Sequence, residues 1–263
     1  MFETSIFWWG LIIKDIIYNQ ICELIDKKNI NDTKFILSIS GGLDSTVLVD
    51  NIVRIKESFP IDIKLFHVNF HMHSLSNTMS EYCLKLSQEH NLDIYIEDCN
   101  YKQFNNKNIE SKAREFRYKR LKFLCIENKI NYILTGHHEE DQIETVYMAE
   151  ENNSSWVSKI GIRPINFIYN RDDTKISLIR PMLNLSKNEI IKYAKDKSID
   201  YFDDPTNNDS KFLRNKIRFK IKSKINDPNF RLKYLNISKF NSQKINKISK
   251  DINNSFYSIV TLF

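Results

Sequence analysis

The chain has 263 residues, of which 41% are hydrophobic and 27% charged, so it can form one large domain or one domain with a small appendage. The chain has only five glycines and five prolines, which excludes a low-complexity chain. Its four cysteines are scattered and form no CxxC pair. This spacing argues against a zinc, disulfide or iron–sulfur framework and favours a reducing cytoplasm. The net charge is +6, yet residues 216–263 alone carry +9, which indicates either a surface for a polyanionic partner or a solvated lysine-rich tail.

The first predicted element is an apolar helix within residues 1–32. The run Ile6–Ile13 looks like a targeting or membrane segment, but it is too short to span a bilayer and is interrupted by Lys14 and Asp15. The apolar pattern continues to Ile25, which predicts a helix packed on the core. We therefore expect no membrane association, no export and a cytoplasmic location.

Four β-rich runs alternate with helical patterns over the next 120 residues or so. This alternation predicts an α/β fold, with a parallel twisted sheet and helices on both of its faces. Ligands of such sheets bind beyond the carboxyl ends of the strands, where Ser40, Asn69 and Gly136 emerge. The predicted strands are Phe35–Ser40, Ile61–Val68, Leu92–Glu97 and Tyr132–Gly136, and the predicted helices are 43–57, 76–90, 109–128 and 139–150.

The pattern changes after residue 150. The runs Ile162–Ile168 and Lys175–Ile179 predict a β-hairpin at the sheet edge, which turns at residues 170–173. A capping box formed by Ser186 and Glu189 predicts a helix over 186–197. A turn is expected at 203–208, and a basic, mostly helical extension from Lys216.

The most informative motif is the loop Ser40-Gly41-Gly42-Leu43-Asp44-Ser45 between the first strand and its helix. Glycines let an anion approach the backbone, serine hydroxyls can donate to it, and the helix N-terminus attracts negative charge. Asp44 repels phosphate unless a cation stands between them, which suggests a magnesium-bound nucleotide. The loop has neither the lysine of a GxxxxGK[ST] motif nor GxGxxG spacing. The alternative is an ordinary Gly-Gly turn capped by Asp44 or Ser45.

The second strand ends in a histidine-rich segment, residues 67–73. A metal site is disfavoured because no cysteine or carboxylate adjoins the histidines. We expect the strand end at Asn69 to frame a nucleotide base, with His67 or His71 as a polar wall or a structural histidine.

Three further groups are candidate ligand-binding residues. Arg114, Arg117 and Tyr118 share a helix face, either as surface residues or with an arginine directed at a phosphate or carboxylate. A helix starting near His137 would align that residue with Asp141 and Glu144, whose carboxylates suit magnesium or a cationic amine, or simply the helix dipole. Arg214 and Arg218 lie one helical turn apart and could hold neighbouring phosphates.

Taken in order, these segments resemble the tRNA(Ile)-lysidine synthases of the PP-loop ATPase superfamily. The matching stretches span about residues 33–220: SGGLDS at 40–45, HVNFH at 67–71, ESKAREFRY at 110–118, TGHHEEDQIET at 135–145, RPML at 180–183 and DPTNNDSKFLRNKIR at 204–218. The first motif marks only the superfamily, whereas the combination is specific to the family.

The resemblance implies an adenine nucleotide alpha hydrolase-like PP-loop domain at 33–218, preceded by the helix in 1–32 and followed by a basic extension at 219–263. It implies ATP and Mg²⁺ as cofactors, with free L-lysine and the CAU-anticodon tRNA(Ile) as substrates. ATP would adenylate O2 of the wobble cytidine, and lysine would then displace AMP to give lysidine.

The resemblance also assigns roles to individual residues. It implies that the catalytic residues are Asp44, Asp141, Glu144 and Arg114, and that Asp44 and Asp141 bind magnesium. It implies that tRNA is bound by Arg214, Asn215 and Arg218 together with the basic tail. The residues implied for nucleotide binding are Ser40, Gly41, Gly42, Leu43, Asp44, Ser45, His67 and Asn69.

The chain departs from the family pattern at several places. His73 stands where an arginine is expected, Glu140 replaces an aspartate, and residues 150–155 replace a Gly/Ser loop. About 45 residues follow Arg218, too few for the C-terminal domains of longer relatives, so the tail could compensate or tRNA discrimination could be relaxed.

The alternatives are a PP-loop tRNA thiolase, which the scattered cysteines disfavour, an amidating PP-loop ligase, and a degenerate tRNA-binding protein without catalysis. The sequence leaves monomer and homodimer open.

Overall fold

A computed structural model describes residues 2–28, 30–104, 108–171, 174–203 and 213–260. It divides into two compact units, which we call the sheet unit (Met1–Glu139 and Pro164–Phe212) and the helical unit (Glu140–Arg163 and Leu213–Phe263). The domain boundaries expected after residues 32 and 218 stay predictions.

The sheet unit contains six strands in the order β3-β2-β1-β4-β6-β5. All neighbouring pairs are parallel except β5 with β6, which are antiparallel. The strands are β1 (Lys34–Ile39), β2 (Asp62–Asn69), β3 (Asp93–Asp98), β4 (Tyr132–Thr135), β5 (Ile165–Arg171) and β6 (Thr174–Ile179). The predicted α/β fold with a mostly parallel sheet and an antiparallel hairpin at its edge is therefore confirmed.

The helices of the described residues follow the predicted pattern closely. They are α1 (Phe2–Leu24), α2 (Leu43–Lys56), α3 (Ser76–Glu89), α4 (Ile109–Asn128), α5 (Glu139–Glu151), α6 (Lys187–Asp196), α7 (Leu213–Ile221) and α8 (Pro228–Val260). Short 3-10 turns lie at Tyr101–Phe104 and Ser158–Ile160. Within the described ranges, no helix combines the length and the apolar character needed to cross a bilayer.

Two apolar cores cover the two faces of the sheet, because side chains alternate along each strand. In β1, Phe35 and Leu37 join helices α1, α2, α3 and α6 on one face. Ile36 points to the other face and packs in the core that contains α4. The α1 residues Ile13 and Ile17 are fully buried in the first core, which is why this apolar segment packs as a helix.

The parallel pairing of β4 with β6 brings a fifth chain segment to the carboxyl edge of the sheet, after those that follow β1, β2, β3 and β4. The segment after β6 leads into α6, whose N-cap is Ser186. The Ser186 hydroxyl accepts from the Glu189 backbone N–H, and the Glu189 carboxylate accepts from the Ser186 backbone N–H, as the capping box predicted.

The helical unit has its own apolar core. Ile143, Val146 and Tyr147 of α5 pack with Ile221 of α7 and Tyr234 of α8. A polar network adds to it, since the Gln142 side chain donates to the Ser238 hydroxyl and to the Ile160 carbonyl oxygen. The predicted helical character of the segment from Lys216 is thus confirmed, although α8 is one continuous helix of 33 residues.

Small differences from the predicted elements concern their ends. Strand β4 stops at Thr135, and α5 begins at Glu139, as the helical pattern at 139–150 predicted, so a helix start near His137 is wrong. His137 therefore precedes the helix, where its Nδ1 lies 2.9 Å from the Thr135 hydroxyl. Residues 172–173 of the predicted hairpin turn and residues 204–208 of the expected turn lie outside the described residues.

Candidate functional site

The loop at residues 40–45 joins β1 to α2 in a compact backbone conformation. Gly41 has φ +79°, and a Cβ there would lie 3.2 Å from the Tyr82 ring and 3.4 Å from Cys83 Sγ, so glycine is required. The N-cap residue is Gly42, which has no side chain to cover the first N–H groups of the helix. Those N–H groups have no intrahelical partner and are suited to an anion.

The two loop serines bond within the loop. The Ser45 hydroxyl donates to the Gly42 carbonyl oxygen at 2.9 Å and accepts from the Ser40 backbone N–H at 3.2 Å. The Ser40 hydroxyl accepts from the Gly42 N–H at 3.3 Å. Leu43 is buried in the core, so it can offer a ligand only its backbone. The serine side chains therefore shape the loop in addition to any direct contact with a ligand.

Asp44 lies between two residues with basic side chains. Its Oδ1 is 2.5 Å from Nζ of Lys187, the first residue of α6, and its Oδ2 is 3.6 Å from Nε2 of the buried His138. The sequence suggested a magnesium-bound nucleotide beside this carboxylate, but it gave Lys187 no role. The position of Lys187 after β6, the fifth parallel strand of the sheet, was the one signal that could have indicated it.

Close backbone packing fixes these segments relative to one another. A Cβ on Gly136 would lie only 2.9 Å from the Asp44 carbonyl oxygen, so only glycine allows the end of β4 to approach the first turn of α2. The Glu139 N–H donates to the Leu185 carbonyl oxygen at 2.9 Å, and the Phe202 N–H donates to that of Gly41.

His67 and Asn69 are buried at the end of β2 and are bonded to protein groups. The His67 ring bonds through Nδ1 to the Ile39 carbonyl oxygen and through Nε2 to the Ser80 hydroxyl, and burial lowers its pKa. Because a carbonyl oxygen only accepts, Nδ1 carries the proton of the neutral ring. The Asn69 amide donates to Asn77. His67 was expected to be either a polar wall of a nucleotide site or a structural histidine, and this geometry fits the structural role.

The two arginines of α4 have different surroundings. Arg114 is exposed, with its guanidinium carbon 5.4 Å from the centre of the Tyr118 ring. Arg117 lies against Phe70, 5.7 Å from the ring centre, and burial lowers its pKa. The arginine that faces inward is therefore Arg117, whereas the role expected from the family motif fell on Arg114.

In the helical unit, a cluster of four charged side chains joins α5 to α7. Arg214 contacts Asp141 at 3.1 Å and Glu144 at 3.0 Å, and Arg218 contacts the same two carboxylates at 3.3 and 2.8 Å. We call this the acid–arginine cluster. Sequence spacing placed the two acids on one helix face and the two arginines on another. Nothing in the sequence indicated that the expected catalytic acids contact the arginines expected to bind tRNA.

Three other residues singled out in the sequence are also placed by the structure. Asn215, which was predicted to bind tRNA, is buried. Glu140, which stands where the family has an aspartate, pairs with Arg231 of α8 at 2.6 Å. His73, which replaces an expected arginine, donates through its backbone N–H to the Ser76 hydroxyl.

The described residues partly fit the expected ligands. They contain no group of three or more His, Cys, Asp or Glu side chains placed to hold a metal. Mg²⁺ commonly uses one or two carboxylates together with substrate phosphates, and the partly exposed Asp44 carboxylate beside a glycine-rich loop suits that arrangement. Asp141, the second predicted ligand, is already paired with two arginines.

Comparison with known proteins decides the family. A family model described as a PP-loop domain matches residues 14–225. This chain belongs to the PP-loop domain family. The fold agrees, since the U34-tRNA thiolase NcsA from Methanococcus maripaludis superposes with a TM-score of 0.70 at 16% identity, covering 90% of this chain and 80% of that one.

Two curated relatives of this PP-loop chain share a name. A tRNA(Ile)-lysidine synthase from Persephonella marina is 34% identical over 193 residues, and one from Mycoplasma mycoides subsp. mycoides SC is 32% identical over 229 residues. These matches cover 72% and 86% of this chain but 40% and 54% of the relatives. The chain thus spans about half the length of these relatives or less.

Proposed function

We propose that this chain is an ATP-dependent tRNA-modifying ligase that attaches lysine to C2 of the wobble cytidine of CAU-anticodon tRNA(Ile). The observation that carries the proposal is the glycine-rich loop at the N-terminus of α2, with the Asp44 carboxylate in its first turn. The name shared by the relatives supports the choice of substrates.

In the first step, O2 of the cytosine attacks the α-phosphorus of ATP and pyrophosphate leaves. The loop backbone, shaped by Ser40 and Ser45, holds the phosphates at the positive end of α2. Mg²⁺, held by Asp44 with Asp141 as a second candidate ligand, would supply charge neutralisation at the phosphates. The end of β2 at His67 and Asn69 frames the base of the bound nucleotide. Arg114, or its inward-facing neighbour Arg117, neutralises the negative charge of a phosphate or carboxylate group of the substrates.

In the second step, the ε-amine of lysine attacks C2 of the adenylated cytosine and AMP leaves. An ammonium ion must lose a proton before it can attack at neutral pH. Asp141 and Glu144 are the carboxylates proposed to orient the lysine ammonium and to help remove that proton. Their present partners are the guanidinium groups of Arg214 and Arg218.

We propose that tRNA phosphates bind Arg214, Asn215, Arg218 and the basic extension. Phosphate accepts bidentate hydrogen bonds from arginine as carboxylate does. An RNA phosphate could therefore replace Asp141 or Glu144 as the partner of a guanidinium group, which would leave that carboxylate available to the lysine ammonium. In this way tRNA binding would prepare the lysine site.

A thiolase is the second candidate, because a tRNA thiolase shares the fold. A sulfur-carrying cysteine must reach the thiolate form. Burial raises the pKa of Cys83 and of Cys125 to about 12, and it also raises the pKa of Cys99. These thiols are therefore poor nucleophiles, which favours the ligase.

The test is AMP release by the purified chain with ATP, Mg²⁺, lysine and the isoleucine tRNA. We expect AMP formation that needs all components, and pyrophosphate exchange that needs tRNA but not lysine. Asp44→Ala should abolish both while leaving tRNA binding nearly intact. Binding of tRNA without AMP release by the unchanged chain would instead support the degenerate RNA-binding protein.

A further inference from the structure

We propose that Trp156 and Phe240 are base-stacking residues, whose rings receive unpaired nucleotides of the tRNA anticodon loop while lysines of α8 contact the neighbouring phosphates. The inference rests on the proposed function, because it assumes that the helical unit binds tRNA. It adds contacts to bases, whereas Arg214, Arg218 and the basic extension are proposed to contact phosphates.

An exposed phenylalanine marks this surface on α8. Phe240 is 67% exposed, more than any other large apolar side chain of the described residues. The packed side of the helix carries the buried residues Tyr234, Ser238 and Asn241. The Phe240 ring lies outside that packed side and is therefore open to a ligand.

A second aromatic ring lies beside the same face of α8. Lys244 follows Phe240 by one helical turn, and residues with this spacing share a face. The Lys244 Nζ lies 4.5 Å from the centre of the Trp156 ring. The segment after Trp156 is held along the helix, because the Ser238 hydroxyl donates to the Ile160 carbonyl oxygen at 2.7 Å. Lys244 therefore neighbours two aromatic rings within the helical unit.

A base can replace the lysine on the Trp156 ring. The ring is half-buried and Lys244 is exposed, and a cation–π contact that faces solvent is weaker than the stacking of a nucleic-acid base on an aromatic ring. The flexible lysine side chain can then move to the adjoining phosphate. The pair in the ligand-free protein thus occupies the place that a nucleotide would take.

The charge of α8 favours RNA over a protein partner. Four lysines and no acidic residue lie within residues 239–250. Lysine is depleted at protein–protein interfaces, whereas single-stranded nucleic acids bind to surfaces that combine positive charge with aromatic rings. Stacking needs unpaired bases, and the wobble cytidine belongs to a loop that supplies them.

The first experiment measures tRNA affinity by filter binding at several salt concentrations. Trp156→Ala and Phe240→Ala should each weaken binding about 5- to 100-fold, as expected when one stacked base loses its ring. Trp156→Phe should restore most of the affinity. The slope of log affinity against log salt concentration should not change in these variants, because no phosphate contact is removed.

The matched control is Phe167→Ala in the sheet unit. Phe167 is 58% exposed and also carries a lysine, with the Lys175 Nζ 4.4 Å from the ring centre. The variant removes the same kind of pair from the unit that lacks a positive net charge. It should bind tRNA like the unchanged chain.

The second experiment separates a base contact from damage to the fold. Anticodon stem-loop RNAs that lack one base, at each loop position in turn, keep all of their phosphates. At the position that stacks on Trp156, removal of the base should weaken binding to the unchanged chain about as much as Trp156→Ala does. It should cause no further loss in the Trp156→Ala variant. A damaged fold would instead lower the affinity for every RNA by the same factor.

Tryptophan fluorescence reports on the same contact. The chain has three tryptophans, so the double variant Trp8→Phe, Trp9→Phe leaves Trp156 as the only one. Saturating tRNA should quench its emission, because a stacked base covers the indole ring. Unchanged emission in the tRNA complex would overturn the role of Trp156.

The outcomes separate the inference from the proposed function. If the unchanged chain binds no tRNA, both fail. Binding of tRNA without AMP release contradicts only the ligase, because the stacking measurements need binding alone. If folded Trp156→Ala and Phe240→Ala variants bind tRNA as tightly as the unchanged chain, the inference alone is overturned. A smaller sedimenting species for Phe240→Ala with unchanged tRNA affinity would assign the ring to a contact between copies, which also overturns it.

Discussion

Asp141 and Glu144 show how single charged residues are held in the helical unit. They are only 7% and 6% exposed, so each carboxylate needs a partner that replaces the water it has lost. Two planar guanidinium groups supply several donors in a fixed geometry, which an ammonium group cannot match. The acid–arginine cluster therefore stabilises the contact between α5 and α7 as well as holding the proposed catalytic acids.

Removing one acid should leave two arginines short of a partner. We expect Glu144→Ala to lower the free energy of unfolding by about 2 kcal/mol, less than the roughly 3–5 kcal/mol of a fully enclosed pair, because the Arg218 side chain is 37% exposed. Urea denaturation would measure it. Glu115→Ala, which removes an exposed carboxylate from α4, is the control and should change stability by less than about 0.5 kcal/mol.

The site residues illustrate what a sequence can and cannot predict at this scale. The spacing of Asp141 and Glu144, and of Arg214 and Arg218, correctly indicated a shared helix face within each pair. Their mutual contact was not predictable, because 70 to 77 residues separate the hydrogen-bonded partners and local periodicity carries no information about them. The pairing of Lys187 with Asp44 was missed for the same reason.

At the scale of secondary-structure elements, prediction succeeded where apolar runs are continuous. The central strands β1 and β2 are largely buried on both faces, so they contain apolar stretches whose ends shifted by only one residue from those expected. The assembly of the helical unit from residues 140–163 and 213–263 was not predicted. It depends on which helix faces meet in space, and amphipathic patterns do not name their partners.

Gly136 provides a test of how elements position the loop. Gly136→Ala would force the end of β4 away from the first turn of α2, because its Cβ would meet the Asp44 carbonyl oxygen at 2.9 Å. We expect a loss of about 1–3 kcal/mol in stability together with weaker binding of magnesium ATP. Calorimetric titration and urea denaturation measure the two effects.

The matched variant is Gly161→Ala in the helical unit. Its Cβ would lie 2.6 Å from Gln142 Oε1 at φ +75°, so it should also reduce stability. Nucleotide affinity should not change, since Gly161 belongs neither to the loop nor to the strands that support it. Equal affinity losses in both variants would show that the effect of Gly136→Ala is not local.

At the scale of the whole molecule, charge is divided between the two units. The helical unit has fourteen basic and seven acidic side chains, a net charge of +7, which leaves the sheet unit at −1. Positive charge on one unit gives a polyanion a preferred surface. The sequence predicted this correctly for the C-terminal fifth, because net charge is additive and needs no knowledge of contacts.

The salt dependence of tRNA binding tests this footprint. Reversing the charge of four exposed lysines in the helical unit (Lys222, Lys239, Lys247 and Lys250 to Glu) should weaken binding. It should also reduce the magnitude of the slope of log affinity against log salt concentration, by about 0.7–0.9 for each phosphate that the variant no longer neutralises. Filter binding at several salt concentrations gives both values.

The control reverses four exposed lysines of the sheet unit (Lys28, Lys34, Lys119 and Lys195 to Glu). It changes the net charge equally and should preserve the slope. An unchanged slope in the first variant would show that the extension is not the surface that tRNA contacts.

The pairing of Asp44 with Lys187 across 143 residues also bears on the order in which the protein is synthesised. The glycine-rich loop at residues 40–45 and its strand β1 leave the ribosome early, whereas β6 and α6 are among the last parts of the sheet unit to emerge. Until then β4 has an open edge on the side where β6 will pair, and exposed strand edges promote aggregation. A nascent chain thus carries the Asp44 carboxylate without its countercharge until the strands that complete its sheet have also been made.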